Sequence, residues 1–177
     1  MSEFKKFDFV NSFYLFHTEN FNSTSVKQNI KKLSFLEFTN NLTTFYDDSK
    51  ILDNQDFFDL RNHIDNYLNV FTKHILKKES FTHRNSWFQA YKENNHHSLH
   101  VHGLEPFEYS YVFYIQTSKD SSDIKFYNPG YPYCYYNDYC ITPKDNDLVV
   151  FNSFLPHEVL PNKDTQRISL AGNIYIR

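Results

Sequence analysis

In the run YSYVFYIQ, Tyr109–Gln116, aromatic and β-branched residues crowd eight consecutive positions, a composition that suits a strand within a sheet. Five further segments read the same way: Ser86–Tyr91, Ile124–Tyr127, Asp147–Phe151, Glu158–Leu160 and Arg167–Tyr175. The stretches between them carry the Asn, Asp, Pro and Gly signals of turns, namely KENN, SKDSSD, NPGYP, PKDND and PNKDT. Many short strands with turn signals between them predict a sandwich or barrel rather than a parallel nucleotide-binding sheet.

Upstream of Ser86 the period lengthens. Phe57, Leu60, Ile64, Leu68, Phe71 and Ile75 recur every three or four residues, which predicts a helix over Gln55–Lys78 with Asp53 or Asn54 as its cap. Ser25–Phe45 reads as a second helix interrupted near Asn40–Asn41, and Phe9–Phe16 as a short edge strand. The fold class expected is α+β, mainly β. Helical support over residues 20–80 should cover a β core over 85–177, all within one domain spanning 1–177.

Composition narrows the function. The net charge of −3, with the two signs interspersed, offers no track for a phosphate backbone, so nucleic acid is not an expected partner. No apolar run is long enough to span a bilayer, and the opening MSEFKKFDF lacks the apolar region of a secretory leader, so a soluble cytoplasmic protein is expected. Three glycines in 177 residues leave no phosphate-cradling loop. Cys134 and Cys140 read as reduced thiols. The segment NPGYPYCYYNDY, with Tyr131, Tyr133, Tyr135 and Tyr136, reads as an aromatic loop over one end of the β core. The aromatic content also leaves room for a homodimer.

Four of the nine histidines fall in NNHHSLHVHG, Asn94–Gly103. On an extended strand His100 and His102 project to one side, the start of a metal site that suits Fe(II), Zn(II), Cu or Ni. His-rich surface loops carry the same pattern, and a lone histidine such as His157 is more often packed than ligating. His157 follows Pro156 at the start of a short strand, where a sandwich could bring it opposite His100 and His102. Arg167 and Ser169 share a strand face. A guanidinium held inside the mouth of a sandwich needs a carboxylate, and a small acid cosubstrate would supply one.

Taken together, SWFQAY (Ser86–Tyr91), HVH (His100–His102), YSYVFYI (Tyr109–Ile115), LVVFNSFLPHEV (Leu148–Val159) and RISLAGNI (Arg167–Ile174) resemble, in order and spacing, the small prolyl-hydroxylase-like 2-oxoglutarate/Fe(II)-dependent oxygenases. The resemblance covers residues 85–177. It implies a double-stranded β-helix, or jelly roll, that uses Fe(II), 2-oxoglutarate and O₂ to hydroxylate an unactivated C–H bond of a peptidyl residue or small metabolite. It places His100 and His157 on the two histidine ligands, His102 on the position that a carboxylate holds in the wider superfamily, and Arg167, assisted by Ser169, on the far carboxylate of 2-oxoglutarate. Tyr91 and Tyr109 become candidates for the pocket wall.

Two positions depart from the family pattern. With His102 as the third ligand, three neutral imidazoles leave both charges of the metal unmatched by protein. Otherwise Glu105 or Glu108 must turn back to supply a carboxylate, although Glu105 lies outside the two-residue register of the strand. Gly103 stands where the family often has proline, permitting an unusual turn or a close approach. Neutral, metal-bound histidines predict that activity falls in mild acid. Two other readings remain at this point: a three-histidine cupin-type dioxygenase that needs no 2-oxoglutarate, and a noncatalytic β-sandwich binding module.

Overall fold

The period-two segments pair into two antiparallel sheets. The computed structural model describes residues 12–38, 40–128, 138–163 and 167–177. Its strands are β1 (Phe13–His17), β2 (Leu36–Phe38), β3 (Asn41–Thr43), β4 (Phe81–Tyr91), β5 (His97–His100), β6 (Glu108–Gln116), β7 (Ile124–Phe126), β8 (Tyr139–Ile141), β9 (Asp147–Asn152), β10 (His157–Val159) and β11 (Arg167–Ile176). The larger sheet runs β1-β9-β6-β11-β4-β3-β2 and the smaller β5-β10-β7-β8. This is the mainly β, jelly-roll architecture expected.

Alternation along β11 and β6 separates two cores. Leu170, Ile174, Ile176, Tyr111, Phe113 and Ile115 look toward the helices. Ala171, Val112 and Tyr114 look toward the smaller sheet, where they meet Ile124, Phe126 and Leu155. Side chains of opposite parity on one strand therefore belong to different layers.

The helical layer is shorter than the apolar pattern suggests. Asn54 caps as expected, its Oδ1 accepting the Asp56 N–H at 2.9 Å. A 3₁₀ turn at Gln55–Phe57 leads into α2, following a first helix α1 (Thr24–Ile30); α2 spans Phe58–Val70 and ends in a π turn at Phe71–Ile75. Leu60, Ile64, Leu68 and Phe71 are fully buried, each contributing roughly 1.5–3 kcal/mol by leaving water. The wider π turn rotates the stripe, so Ile75 is 40% exposed instead of buried.

The helix expected over Ser25–Phe45 is corrected. Only Thr24–Ile30 is helical, and Leu36–Phe38 pairs with Asn41–Thr43 as the antiparallel strands β2 and β3. Leu42 pairs with Ala90 and Thr43 with Gln89, so β3 covers the edge of β4. Ladder bonds to an otherwise open strand, joined by β-branched Thr43 and Thr44, outweigh the loose helical spacing there. The N-terminal section thus supplies strands β1–β3 as well as helices.

Residues 129–137 of the expected aromatic loop, including Tyr131, Tyr133, Tyr135, Tyr136 and Cys134, lie outside the described residues. Cys140 is a free, exposed thiol. Among the described residues, no helix is long and apolar enough to cross a membrane.

Candidate metal centre

Strand pairing brings the histidines together. β5 lies antiparallel to β10 with His100 and His157 as register partners, and His102 follows two residues on. The chain turn after β5 is held by the backbone N–H groups of His102 and Gly103, which both donate to the Ser153 carbonyl. One ring nitrogen from each of His100, His102 and His157 lies within 4.8 Å of the others.

Each ring is oriented from behind. Nδ1 of His100 faces the Ser98 carbonyl at 2.7 Å, Nδ1 of His157 the Leu155 carbonyl at 2.9 Å, and Nδ1 of His102 the Asn173 Oδ1 at 2.9 Å. All three partners are acceptors, so each neutral ring carries its proton on Nδ1 and turns its Nε2 lone pair outward. Asn173 Oδ1 also accepts from Ser110 Oγ at 2.7 Å, and Ser110 Oγ lies 2.8 Å from Ser153 Oγ. The Nε2 atoms of His100 and His102 are 3.3 Å apart. Two lone pairs at that distance repel unless a cation sits between them, so the donor set fits a divalent metal.

Burial keeps the cluster neutral. His157 is pushed well below the ordinary imidazole range by desolvation, then by its neighbours His102 and His100. Desolvation and His100 lower His102 to about 4, against a smaller raising effect from Asn173; desolvation also lowers His100. His97, stacked on His100 with ring centres 3.9 Å apart, falls to about 3 for the same first reason. In the unfolded chain these rings protonate near pH 6.5. The unfolded state therefore binds more protons than the folded state below that pH. Stability of the metal-free protein should be complete above pH 6.5 and decline as the pH falls toward 4. Thermal denaturation at half-unit steps checks this; a melting temperature that stays flat from pH 7 to 4.5 contradicts it.

Beside the histidines, a cleft is lined by Arg167, Ser169, Tyr91 and Gln89. Arg167 is 1% exposed. Its guanidinium lies 4.9 Å from the centre of the Tyr91 ring and 5.2 Å from that of Tyr114. Nη1 donates to Ser122 Oγ at 3.0 Å and Nη2 to Tyr114 Oη at 3.5 Å, while Nε is buried without an acceptor. Burial raises both phenols, Arg167 opposing it less strongly, so each stays protonated. Among the described residues, no carboxylate pairs with Arg167. A buried guanidinium with a donor to spare fits a small acid. The cleft holds only ≈ 20 Å³, about the space of one water, so admitting a five-carbon diacid requires its lining side chains to move.

One expectation changes and two open alternatives narrow. Tyr109 packs on Phe71 on the helix side of β6 and does not line the cleft; Tyr114, of opposite parity, lies on the other face and accepts from Arg167 Nη2. Glu105 is exposed and Glu108 bonds Arg84 Nη1 at 3.0 Å, so neither carboxylate joins the histidines. Gly103 allows a close approach, because a Cβ there would collide with the Glu108 carboxylate, and its φ is not positive. The sequence reading missed Tyr114, Ser122, His97 and Asn173. Asn173 was within reach, since it shares the parity of Arg167 and Ser169.

Known proteins share this fold and, over part of the chain, its family pattern. A search of curated proteins finds no match. The family model for 2OG-Fe(II) oxygenases matches residues 85–173, half of the chain. Among solved structures, a Pseudomonas putida prolyl-4-hydroxylase is 16% identical with a TM-score of 0.68, the match covering 94% of each chain. A Trichoplax adhaerens prolyl hydroxylase, in complex with a hypoxia inducible factor peptide fragment, is 13% identical with a TM-score of 0.65, over 93% of this chain and 82% of its own. HygX from Streptomyces hygroscopicus, with nickel, 2-oxoglutarate and hygromycin B bound, is 10% identical with a TM-score of 0.66, over 93% of this chain and 83% of its own. At such identities the likeness is one of fold. The family match over half the chain carries the assignment: this protein belongs to the 2OG-Fe(II) oxygenases, enzymes whose cofactors are Fe(II) and 2-oxoglutarate.

Proposed function

We propose that His100, His102 and His157 hold Fe(II), that Arg167 takes the far carboxylate of 2-oxoglutarate, and that the enzyme hydroxylates an unactivated C–H bond of a peptidyl residue or small metabolite. The observation that carries this reading is the convergence of three outward-facing Nε2 lone pairs next to a buried guanidinium that has no carboxylate partner among the described residues.

When bound, iron and 2-oxoglutarate supply the oxidation: O₂ and the keto acid are consumed, succinate and CO₂ released, and one oxygen atom is passed to the substrate. The chain's own groups bind and exclude. The Leu155 and Ser98 carbonyls and Asn173 fix the ring tautomers. Tyr91 donates to Gln89 Oε1 at 2.7 Å, and Gln89 Nε2 in turn lies 3.3 Å from His97 Nδ1, which braces the ring stacked on His100. Tyr114 and Ser122 hold the Arg167 fork, and Ser169 lines the same cleft. Phe126 and Phe151 pack on His157 and keep bulk water from its rear.

Core contacts between α2 and the larger sheet support treating the helical and jelly-roll sections as one domain. Peptide-bound and antibiotic-bound neighbours share this fold, so fold alone does not select the substrate.

Anaerobic titration of untagged protein with Fe(II) and then 2-oxoglutarate tests the reading. A weak visible charge-transfer band that saturates at one equivalent of each is expected. Folded protein that binds iron yet never develops the band would favour a three-histidine dioxygenase independent of 2-oxoglutarate.

A further inference from the structure

A bulge decides where a fourth histidine points. β5 and β10 are in register at His100 with His157 and again at His97 with Val159, so three residue steps on β5 match two on β10. In a regular strand, residues three apart face opposite ways. The extra residue turns His97 to the side of His100 instead, and the two rings stack with their centres 3.9 Å apart and 18° from parallel.

Hydrogen-bond partners then separate His97 from the metal-binding rings. Those three direct Nδ1 at oxygen acceptors, which leaves a lone pair on Nε2. His97 Nδ1 instead faces Gln89 Nε2 at 3.3 Å, and the Gln89 amide is held that way round because its Oε1 accepts from the Tyr91 hydroxyl at 2.7 Å. A ring nitrogen that faces an N–H donor is the acceptor, so in the neutral ring the proton of His97 sits on Nε2. His97 is therefore a donor rather than a ligand, and it lies outside the group whose ring nitrogens converge.

That N–H has no partner among the described residues. It is also open to solvent: the buried polar atoms left without a partner include Asn41 Oδ1, Asn85 Oδ1 and Arg167 Nε, but not His97 Nε2. The ring borders two spaces, the cleft beside Arg167 and a cavity of ≈ 290 Å³ between β3–β4 and β5. The cleft is the place of the cosubstrate and holds only ≈ 20 Å³, whereas the cavity has room for a further organic group.

The cavity wall says what kind of group fits. Next to the metal-binding rings, both ends of the Gln89 amide are taken, and Asn173 Oδ1 accepts from His102 and Ser110. Half-buried Phe45 meets Trp87 edge to face at 4.9 Å and Tyr46 at 5.3 Å, which makes one side of the wall apolar. None of the lining residues is Lys, Arg, Asp or Glu, so a charged group would find no counter-ion in the wall. An uncharged carbonyl accepts the free hydrogen bond and brings no charge.

We propose that His97 binds the substrate, its Nε2–H donating to an uncharged carbonyl oxygen while the apolar body beside that carbonyl lies against Phe45 and Tyr46. The proposal rests on the reading of the neighbouring rings as the Fe(II) and 2-oxoglutarate centre. A peptidyl carbonyl and that of a free metabolite present the same chemistry.

Protein labelled with nitrogen-15 histidine and loaded with Zn(II), a diamagnetic stand-in for Fe(II) that imidazole also suits, reports the tautomer of each ring by NMR. The proton should be found on Nε2 of His97 and on Nδ1 of His100, His102 and His157. Acetophenone and 2-phenylpropene share one shape and differ in a carbonyl oxygen against a methylene. With 2-oxoglutarate present, acetophenone should half-saturate the protein at a concentration about fivefold below 2-phenylpropene, read from the broadening of each probe's own proton signals, and should shift His97 Nε2. Benzoate should bind more weakly than acetophenone. His97→Phe keeps a stacked ring without the donor; it should erase the preference for the carbonyl while zinc content and the half-saturating 2-oxoglutarate concentration stay as in the wild type. His97→Gln returns an N–H near the same place and should recover part of that preference, which a purely structural role would not produce. N-acetyl-L-phenylalanine methylamide forms the peptidyl arm, and whichever of it and acetophenone loses more affinity in His97→Phe identifies the source. A proton on Nδ1 of His97, equal binding of the two isosteres, or a preference that survives in His97→Phe overturns the proposal. So does a His97→Phe variant that raises only the 2-oxoglutarate requirement, because the donor would then serve the cleft. If zinc leaves the three ligand rings unmoved while acetophenone is still preferred and still shifts His97, the metal reading falls and the His97 assignment stands.

Discussion

His157→Ala should leave no stably bound iron. His157 is the most buried of the three rings, and its Nδ1–H bond to the Leu155 carbonyl fixes the direction of its lone pair. Loss of an outer partner of a metal-binding histidine already costs about 10- to 100-fold in affinity, so removing the ring itself should cost more than ~100-fold. Wild-type protein reconstituted anaerobically and desalted should carry one iron per chain by elemental analysis, and the variant close to none. His102→Ala, at a more exposed position, repeats the measurement should the buried void unfold the first variant. Full iron content in either folded variant would remove that ring from the ligand set. Because protons compete with the metal for the ring nitrogens, wild-type iron content and activity should fall in mild acid, read by the same elemental analysis at stepped pH.

The second large effect is expected at Arg167, and it should leave iron alone. Arg167 lies across the cleft from the histidines, held by Ser122 and Tyr114 with its Nε unpaired. Truncating one partner of a buried charge pair costs about 2–5 kcal/mol. Arg167→Ala should therefore raise the half-saturating 2-oxoglutarate concentration by at least about 30-fold. In the wild type, excess 2-oxoglutarate with iron should raise the melting temperature, since a ligand at 100 times its Kd adds about 2.7 kcal/mol. In Arg167→Ala that stabilisation should drop to about 0.9 kcal/mol or less at the same concentration while iron content stays at one per chain. An unchanged 2-oxoglutarate requirement would take Arg167 out of the cosubstrate site. Arg167→Lys should rescue only part of the loss, because an ammonium keeps the charge without the planar fork.

Much of this layout was legible in the chain. The strands Tyr109–Gln116 and Arg167–Tyr175 lie within one residue of β6 and β11, because aromatic and β-branched runs bounded by turn residues suit a sheet. His100 and His102 were readable as a pair from their spacing, and Arg167 and Ser169 from theirs. The apolar stripe of α2 held through Phe71 and failed at Ile75, where one wider turn shifted the face. The strands β2 and β3 read as helix because their apolar spacing is compatible with one, and the open edge of β4 that pairs with Leu42 and Thr43 lies more than forty residues away.

Period-two alternation sorts the residues of a strand into two sets and does not say which set faces which layer. Tyr109 and Tyr114 are equivalent on that evidence; packing against Phe71 sends the first to the helices and leaves the second beside Arg167. The sequence determined by itself the local periodicities, the family motifs and the candidate donors, since these depend on neighbours a few residues apart. Only the tertiary structure decided that His157 registers with His100, that Asn173 backs His102, and that Ser122 and Tyr114 hold Arg167. Those placements depend on long-range strand pairing, and a pairing partner is chosen by the whole set of competing edges and faces rather than by any segment alone.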